Sequence, residues 1–122
     1  MDMSEKKSNA PNHVVEMLIE PGAESLIKQM GRQMRTKARS KIMDRALSHL
    51  RENAHASDVS AWFSEERFKP NRRTTVRLCD ENARYANTLA AVTGRGRPSI
   101  LLDIVYLAAS SMTKEDFEAL RK

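Results

Sequence analysis

The stretch that most constrains the fold is Arg73 to Cys79, where apolar and polar side chains alternate. Successive side chains of a strand point to opposite faces, so this alternation predicts a strand with one apolar and one basic side. The apolar side consists of Thr74, Val76 and Leu78. The polar side consists of Arg73, Thr75 and Arg77.

Two helices are predicted after this strand. Asp80 is a suitable N-cap for the first helix, and Gly94 is a suitable C-terminal stop, since glycine adopts the left-handed conformation most easily. Pro98 suits the first turn of the second helix. The apolar stripe of the first helix is Tyr85, Ala86, Leu89, Ala90 and Val92, and that of the second is Leu101, Leu102, Val105, Tyr106 and Ala109.

The same order is predicted earlier in the chain. His13 to Glu20 is a candidate strand, Pro21 opens a helix, and Ser40 caps a second helix. A shift of 59 residues superimposes the two copies without a gap, although Ser40/Ser99 and Asp44/Asp103 are the only identities. The pattern therefore predicts a tandem repeat, while amphipathic segments can also match each other in this way without duplication.

The strand, helix, glycine turn and helix resemble the ribbon-helix-helix fold of the MetJ/Arc superfamily. The resemblance is carried by Thr74–Leu78, the Thr93–Arg95 break and Ser99–Asp103. It implies a mainly α fold with a short antiparallel β-ribbon, in which the strand pairs with an equivalent strand because a lone strand is unstable in water. The partner strand comes either from the same chain, as a pseudo-dimer, or from a second chain in an intertwined dimer.

The predicted organisation has five parts. A disordered arm (1–12) precedes repeat 1 (13–52), and a linker with a short helix (53–72) leads to repeat 2 (73–112) and a short C-terminal helix (113–122). Three linker aromatics, Trp62, Phe63 and Phe68, are expected to cover a small core. Thr113 to Asp116 is expected to form a capping box at the final helix.

Charge distribution is more informative than the net charge of +5. Six basic residues and no acid lie between Ser25 and Met43, and five basic residues and no acid lie between Arg67 and Arg77. Both runs suit a polyanion, although solvated basic faces are the simpler interpretation of the charge alone. With one cysteine and no long apolar run, the chain is expected to be cytoplasmic and soluble.

The histidines and Cys79 do not lie at metal-ligand spacings, and no phosphate-binding glycine loop is present. Asp44 and Asp103 occupy matching helix positions, which favours an ion pair or an interhelix hydrogen bond over paired acid–base catalysis. We therefore expect neither an enzyme nor a cofactor.

The resemblance implies that the ribbon enters the major groove of double-stranded DNA. The expected base-reading residues are Arg73, Thr75 and Arg77, with Val14, Glu16 and Leu18 at the matching positions of the first strand. Arginine can contact guanine and glutamate can accept from cytosine, whereas Val and Leu read little, so an asymmetric reader is expected. Alternatively, the apolar first strand shifts its register by one residue.

The turns before the second helices are expected to bind DNA phosphates, since helix N-termini present free N–H groups. The residues concerned are Arg35, Lys37, Arg39, Ser40, Lys41, Arg95, Gly96, Arg97 and Ser99. Pro98 removes one of the backbone donors.

Two tandem copies resemble TraY-type accessory proteins of the relaxosome in conjugative plasmid transfer. This resemblance implies that the protein binds double-stranded DNA near a transfer origin and that a relaxase is a partner. It also implies a homodimer or an oligomer that assembles on DNA. A transcriptional repressor, an antitoxin or a plasmid partition protein of the same fold is the alternative. A helical interaction module that does not bind DNA, with Val14–Ile19 docking a partner, is the third interpretation.

Overall fold

The computed structural model describes residues 12–53 and 72–121, which are mainly helical with one two-stranded antiparallel sheet. A strand followed by two helices occurs twice, and a short helix ends the described chain. The elements are β1 (His13–Ile19), α1 (Pro21–Met34), α2 (Arg39–Asn53), β2 (Arg72–Leu78), α3 (Asp80–Thr93), α4 (Arg97–Ser111) and α5 (Lys114–Ala119). The short helix expected in the linker and the three linker aromatics lie outside the described residues, as do residues 1–11.

The two strands pair with each other within one chain. The register runs from His13 opposite Leu78 to Ile19 opposite Arg72. Its central pair is Glu16 and Thr75, which are also residues matched by the 59-residue shift. The ribbon therefore has a local two-fold arrangement about this pair, and the first strand has not slipped.

One face of the ribbon lies on the hydrophobic core. Val15, Met17 and Ile19 of β1 and Val76 and Leu78 of β2 are all buried. Their alternation with exposed neighbours is the period of two that the sequence shows. The predicted inward and outward sides of both strands are thus confirmed.

The second helix of each half packs on the strand of the other half. Helix α2 contacts β2, and α4 contacts β1 and also α1, α2 and α3. The buried side chains of both halves form a single cluster. Sharing one core compensates for the small size of each half, which could bury little apolar surface alone.

Helix α4 lies at the centre of this core. Every residue from Ile100 to Val105 is buried, and so is Ala108. The sequence predicts a single apolar stripe for α4, but a larger part of its surface is buried. The reason is that α4 has neighbours on several sides.

Several local signals in the sequence are confirmed. Pro21 opens α1, Gly94 ends α3 with a left-handed φ of 73°, and Pro98 lies in the first turn of α4. Thr113 and Asp116 form the expected capping box, and Phe117 of α5 is buried. These signals depend on local backbone geometry, which explains why the sequence reveals them.

Other local predictions are wrong. Cys79, not Asp80, is the N-cap of α3, and α2 begins at Arg39, one residue before Ser40. Val92 is 64% exposed, although it was expected on the apolar face of α3. It lies in the last turn, beyond the part of the helix that packs on the core.

Candidate nucleic-acid interface

The outward face of the ribbon carries all six residues expected there. Across the strands, Arg77 lies opposite Val14, Thr75 opposite Glu16 and Arg73 opposite Leu18. Leu18 is partly covered and the other five are exposed; Val14 is 58% exposed, a large value for an apolar side chain. The strand from the second half thus brings the cations, and the strand from the first half brings one acid and two apolar side chains.

An ion pair crosses this face. Arg73 Nη1 lies 2.9 Å from Glu16 Oε1, and both side chains are more than half exposed. Such an exposed pair contributes about 0–1 kcal/mol, so either partner can exchange it for another ligand at little cost. The pair also leaves Arg77 as the cation of this face that no described carboxylate neutralises.

The start of α2 lies against the edge of β2. The Ser40 hydroxyl accepts a hydrogen bond of 2.8 Å from the backbone N–H of Arg77, and the Arg39 guanidinium donates to Thr74 Oγ1 at 2.9 Å. Ser40, although not an N-cap, satisfies a backbone donor at the edge of the ribbon, a group that would otherwise need water.

The other residues expected to bind phosphate near α2 are free to do so. Arg35, Lys37 and Lys41 are exposed. They extend the basic surface from the ribbon edge along the turn between α1 and α2.

The start of α4 is arranged differently. The Arg95 guanidinium is only 10% exposed; it lies 2.6 Å from Asp103 Oδ2 and also donates to the Ser99 hydroxyl. The Arg97 guanidinium donates to Asn87 Oδ1 at 2.9 Å, and Gly96 is the exposed N-cap. Two of the four residues expected to bind phosphate here, Arg95 and Ser99, are therefore bonded to each other inside the second half.

Asp44 and Asp103 have the structural roles that the sequence favours. Asp44 accepts hydrogen bonds from the backbone N–H of Cys79 at 2.8 Å and from Asn82 Nδ2 at 2.8 Å, which joins α2 to the start of α3. Asp103 forms the ion pair with Arg95. Burial, with the nearby Asp44 charge adding to it, raises the pKa of the Cys79 thiol, so this cysteine is a poor nucleophile at neutral pH.

The sequence drew attention to a basic run but not to the groove that its side chains form. Lys28 and Arg32 on α1 join Arg35, Lys37 and Arg39 around a cavity between α1 and α2. Lys28, Arg32 and Arg35 are spaced by four and three residues along α1 and its C-cap. This spacing is the signal that could have placed the three side chains on one helix face.

Other polar clusters in the described part of the chain are small. His13 lies 3.2 Å from Asp80, and His49 lies 3.7 Å from Asp116. Within residues 12–53 and 72–121, no three His, Cys, Asp or Glu side chains are placed to hold a metal ion. None of the described helices combines the length and apolar character needed to cross a bilayer.

Comparison with known proteins adds no family to this geometry. A scan against protein-family models found no matching family. Searches of curated proteins and of solved structures found no match either.

Proposed function

We propose that this chain is a sequence-specific double-stranded DNA-binding protein, built as two ribbon-helix-helix units that form one ribbon within a single chain. The observation that carries the proposal is the ribbon itself, with one face buried in the core and the other exposing Arg73, Thr75 and Arg77. A two-stranded ribbon fits the width of the major groove, and its outward side chains then meet the base edges.

The chemistry of the exposed face supports base reading. Arg77 can donate two hydrogen bonds to guanine O6 and N7, and Thr75 can contact a thymine methyl group. Glu16 can accept from cytosine N4, and its exposed pair with Arg73 can be exchanged during binding. Since the cations come from one strand, we expect a recognition site that is asymmetric about the centre of the ribbon.

Phosphate contacts flank the ribbon in this proposal. Arg35, Lys37 and Lys41 on one side and Gly96 and Arg97 on the other supply charge and backbone N–H groups. These contacts position the protein on DNA and make binding depend on salt, whereas the ribbon selects the sequence.

The proposal is tested by selecting a binding site from a pool of random duplexes and measuring the affinity of variants for it. Arg77→Ala should weaken binding to the selected site by about 1–3 kcal/mol and change binding to random DNA much less. Lys41→Ala, which removes an exposed cation from the phosphate-binding side, should weaken both alike. Arg84→Ala is the matched control, because it removes an exposed arginine on α3 that is paired with Asp80.

If Arg77→Ala lowers the affinity for selected and random DNA equally, the ribbon does not read bases in the major groove. Failure of the intact protein to bind any duplex would favour an interaction module, for which the exposed Val14 is then the first place to look.

For the biological role we propose an accessory protein of a conjugative relaxosome, which binds near a transfer origin. Pairing of β1 with β2 inside one chain supports this role over single-copy repressors, antitoxins and partition proteins, which need a second chain. The selected site provides the test: its presence at a transfer origin beside a relaxase gene supports the role, and its presence only in the promoter of this protein's own gene points to a repressor.

A further inference from the structure

A basic groove lies beside the ribbon, between α1 and the turn that leads to α2. Its volume is about 680 Å³, and Ile27, Gly31 and Ile42 contribute its apolar floor. The wall of the groove, which we call the cationic rim, consists of Lys28, Arg32, Arg35, Lys37 and Arg39.

The rim has an excess of positive charge. Glu24 is the acid that lines the groove, and it lies 3.1 Å from Arg72 of β2. No carboxylate in the described residues pairs with Lys28, Arg32 or Arg35. Like charges one helical turn apart repel, so these cations lower the stability of the free protein. A bound anion would offset that repulsion.

Arg35 adds a second local cost. It ends α1 with a φ of 60°, in the left-handed region where glycine is the easiest residue. The matching residue at the end of α3 is Gly94, with a φ of 73°. The first half therefore has an arginine where the backbone favours glycine. Strained residues of this kind are often found at functional sites.

The fold does not require the rim, because the second half forms the same elements without it. The 59-residue shift matches the five rim residues with Asn87, Ala91, Gly94, Gly96 and Pro98, none of which is charged. The basic wall is thus a property of one half.

The rim also adjoins the ribbon. Arg39 donates to Thr74 Oγ1 of β2, and Thr74 is the neighbour of the outward-facing Thr75. Arg72, at the start of the same strand, bonds Glu24 inside the groove. The rim therefore lies at the Arg72–Thr74 end of β2, the end from which the exposed Arg73 points outward.

We propose that the cationic rim binds phosphates of duplex DNA that continues past the ribbon on the side of the first half only. The contacts on DNA are then off-centre with respect to the Glu16–Thr75 pair, and the flank of the site contributes to affinity without being read. This inference rests on the proposed DNA-binding function and adds to it a direction along the duplex. The rim's continuity with the ribbon favours DNA over an acidic peptide as the ligand.

The experiment compares a short duplex, limited to the selected site, with a duplex extended on both sides. Hydroxyl-radical footprinting of the intact protein should show protection that extends further on one side. The double variant Lys28→Ala/Arg32→Ala should lose that extension, leave affinity for the short duplex unchanged, and reduce the slope of log affinity against log salt by about 2 on the long duplex.

Two further variants separate the role of the rim from folding. Arg35→Gly relieves the left-handed backbone, so its melting temperature should not fall, yet it should lose part of the one-sided protection. Arg84→Ala/Lys114→Ala removes two exposed cations elsewhere and should leave the footprint unchanged.

Specific binding of the short duplex with a symmetric footprint, or a one-sided footprint that survives in the double variant, overturns the inference and leaves the proposed function intact. If the intact protein binds no duplex, the proposed function itself fails. A poly-glutamate peptide that binds the intact protein but not the double variant, while the footprints stay identical, assigns the groove to an acidic protein partner instead.

Discussion

The two halves of the chain share a serine and an aspartate at matching helix positions and use them differently. In the first half, Ser40 and Asp44 bond backbone N–H groups of the second half, at Arg77 and Cys79. In the second half, Arg95 bonds both Ser99 and Asp103 within the same half.

The neighbours explain the difference. Asn82 of α3 is fully buried and donates to Asp44, and the 59-residue shift matches it with Ala23 of α1, which has no amide. The residue matched with Arg95 is Thr36, which has no charge. Each buried aspartate therefore takes the donor available to it, and identical residues at matching positions do not impose identical contacts.

The largest effect is expected from the ion pair of the second half. Asp103→Ala leaves Arg95 buried without this carboxylate, and loss of one partner from a buried pair lowers the free energy of unfolding by about 3–5 kcal/mol. Urea denaturation measures the loss. The double variant Arg95→Met/Asp103→Leu should recover most of it, and a loss below about 1 kcal/mol in the single variant would show that the pair is effectively solvated.

The polar network of the first half should be the next most sensitive. Asn82→Ala gives α3 the residue that α1 has at the matching position, and it removes a donor from the buried Asp44 carboxylate. We expect the free energy of unfolding to fall by about 2–3 kcal/mol. Thr88→Ala, at an exposed position of the same helix, is the control; equal effects of the two variants would contradict a specific role of the amide.

The helix–helix turns differ in how closely they pack. A Cβ on Gly31 would lie 2.6 Å from the Thr36 carbonyl oxygen and 2.8 Å from Ile42 Cδ1, whereas the matching residue of the second half is already Ala90. Gly31→Ala should therefore destabilise by about 1–3 kcal/mol through overpacking. Ala90→Gly tests the other half, where thermal denaturation should show the intrinsic cost of helical glycine, about 0.5–1 kcal/mol, and the loss of a partly buried methyl group.

The smallest effect concerns the end of α3. Gly94 has open space around it, so Gly94→Ala costs only the strain of its left-handed backbone, about 1 kcal/mol. Thr88→Ala, at an exposed position inside the same helix, is the control and should change the melting temperature little. Equal shifts for the two variants would mean that the left-handed backbone at Gly94 carries no cost of its own.

Much of the ribbon could be predicted from the sequence. The alternation in Arg73–Cys79 determines which side chains of β2 face outward, and the 59-residue shift correctly aligns β1 with β2 and α1 with α3. The contacts of Arg95 and Ser99 could not be predicted. The sequence does not show whether a basic residue before a helix is exposed to solvent or pairs with a buried carboxylate.

By itself the sequence determined the local structure: period-two strands, amphipathic helices, and turns at Gly94 and Pro98, all of which depend on residues near each other in the chain. Tertiary structure alone decided that the two strands pair within one chain, that α2 and α4 cross to the opposite strand, and that one basic run surrounds a groove. These features depend on contacts between distant residues, and their energies come from burial and geometry, which a linear pattern does not specify.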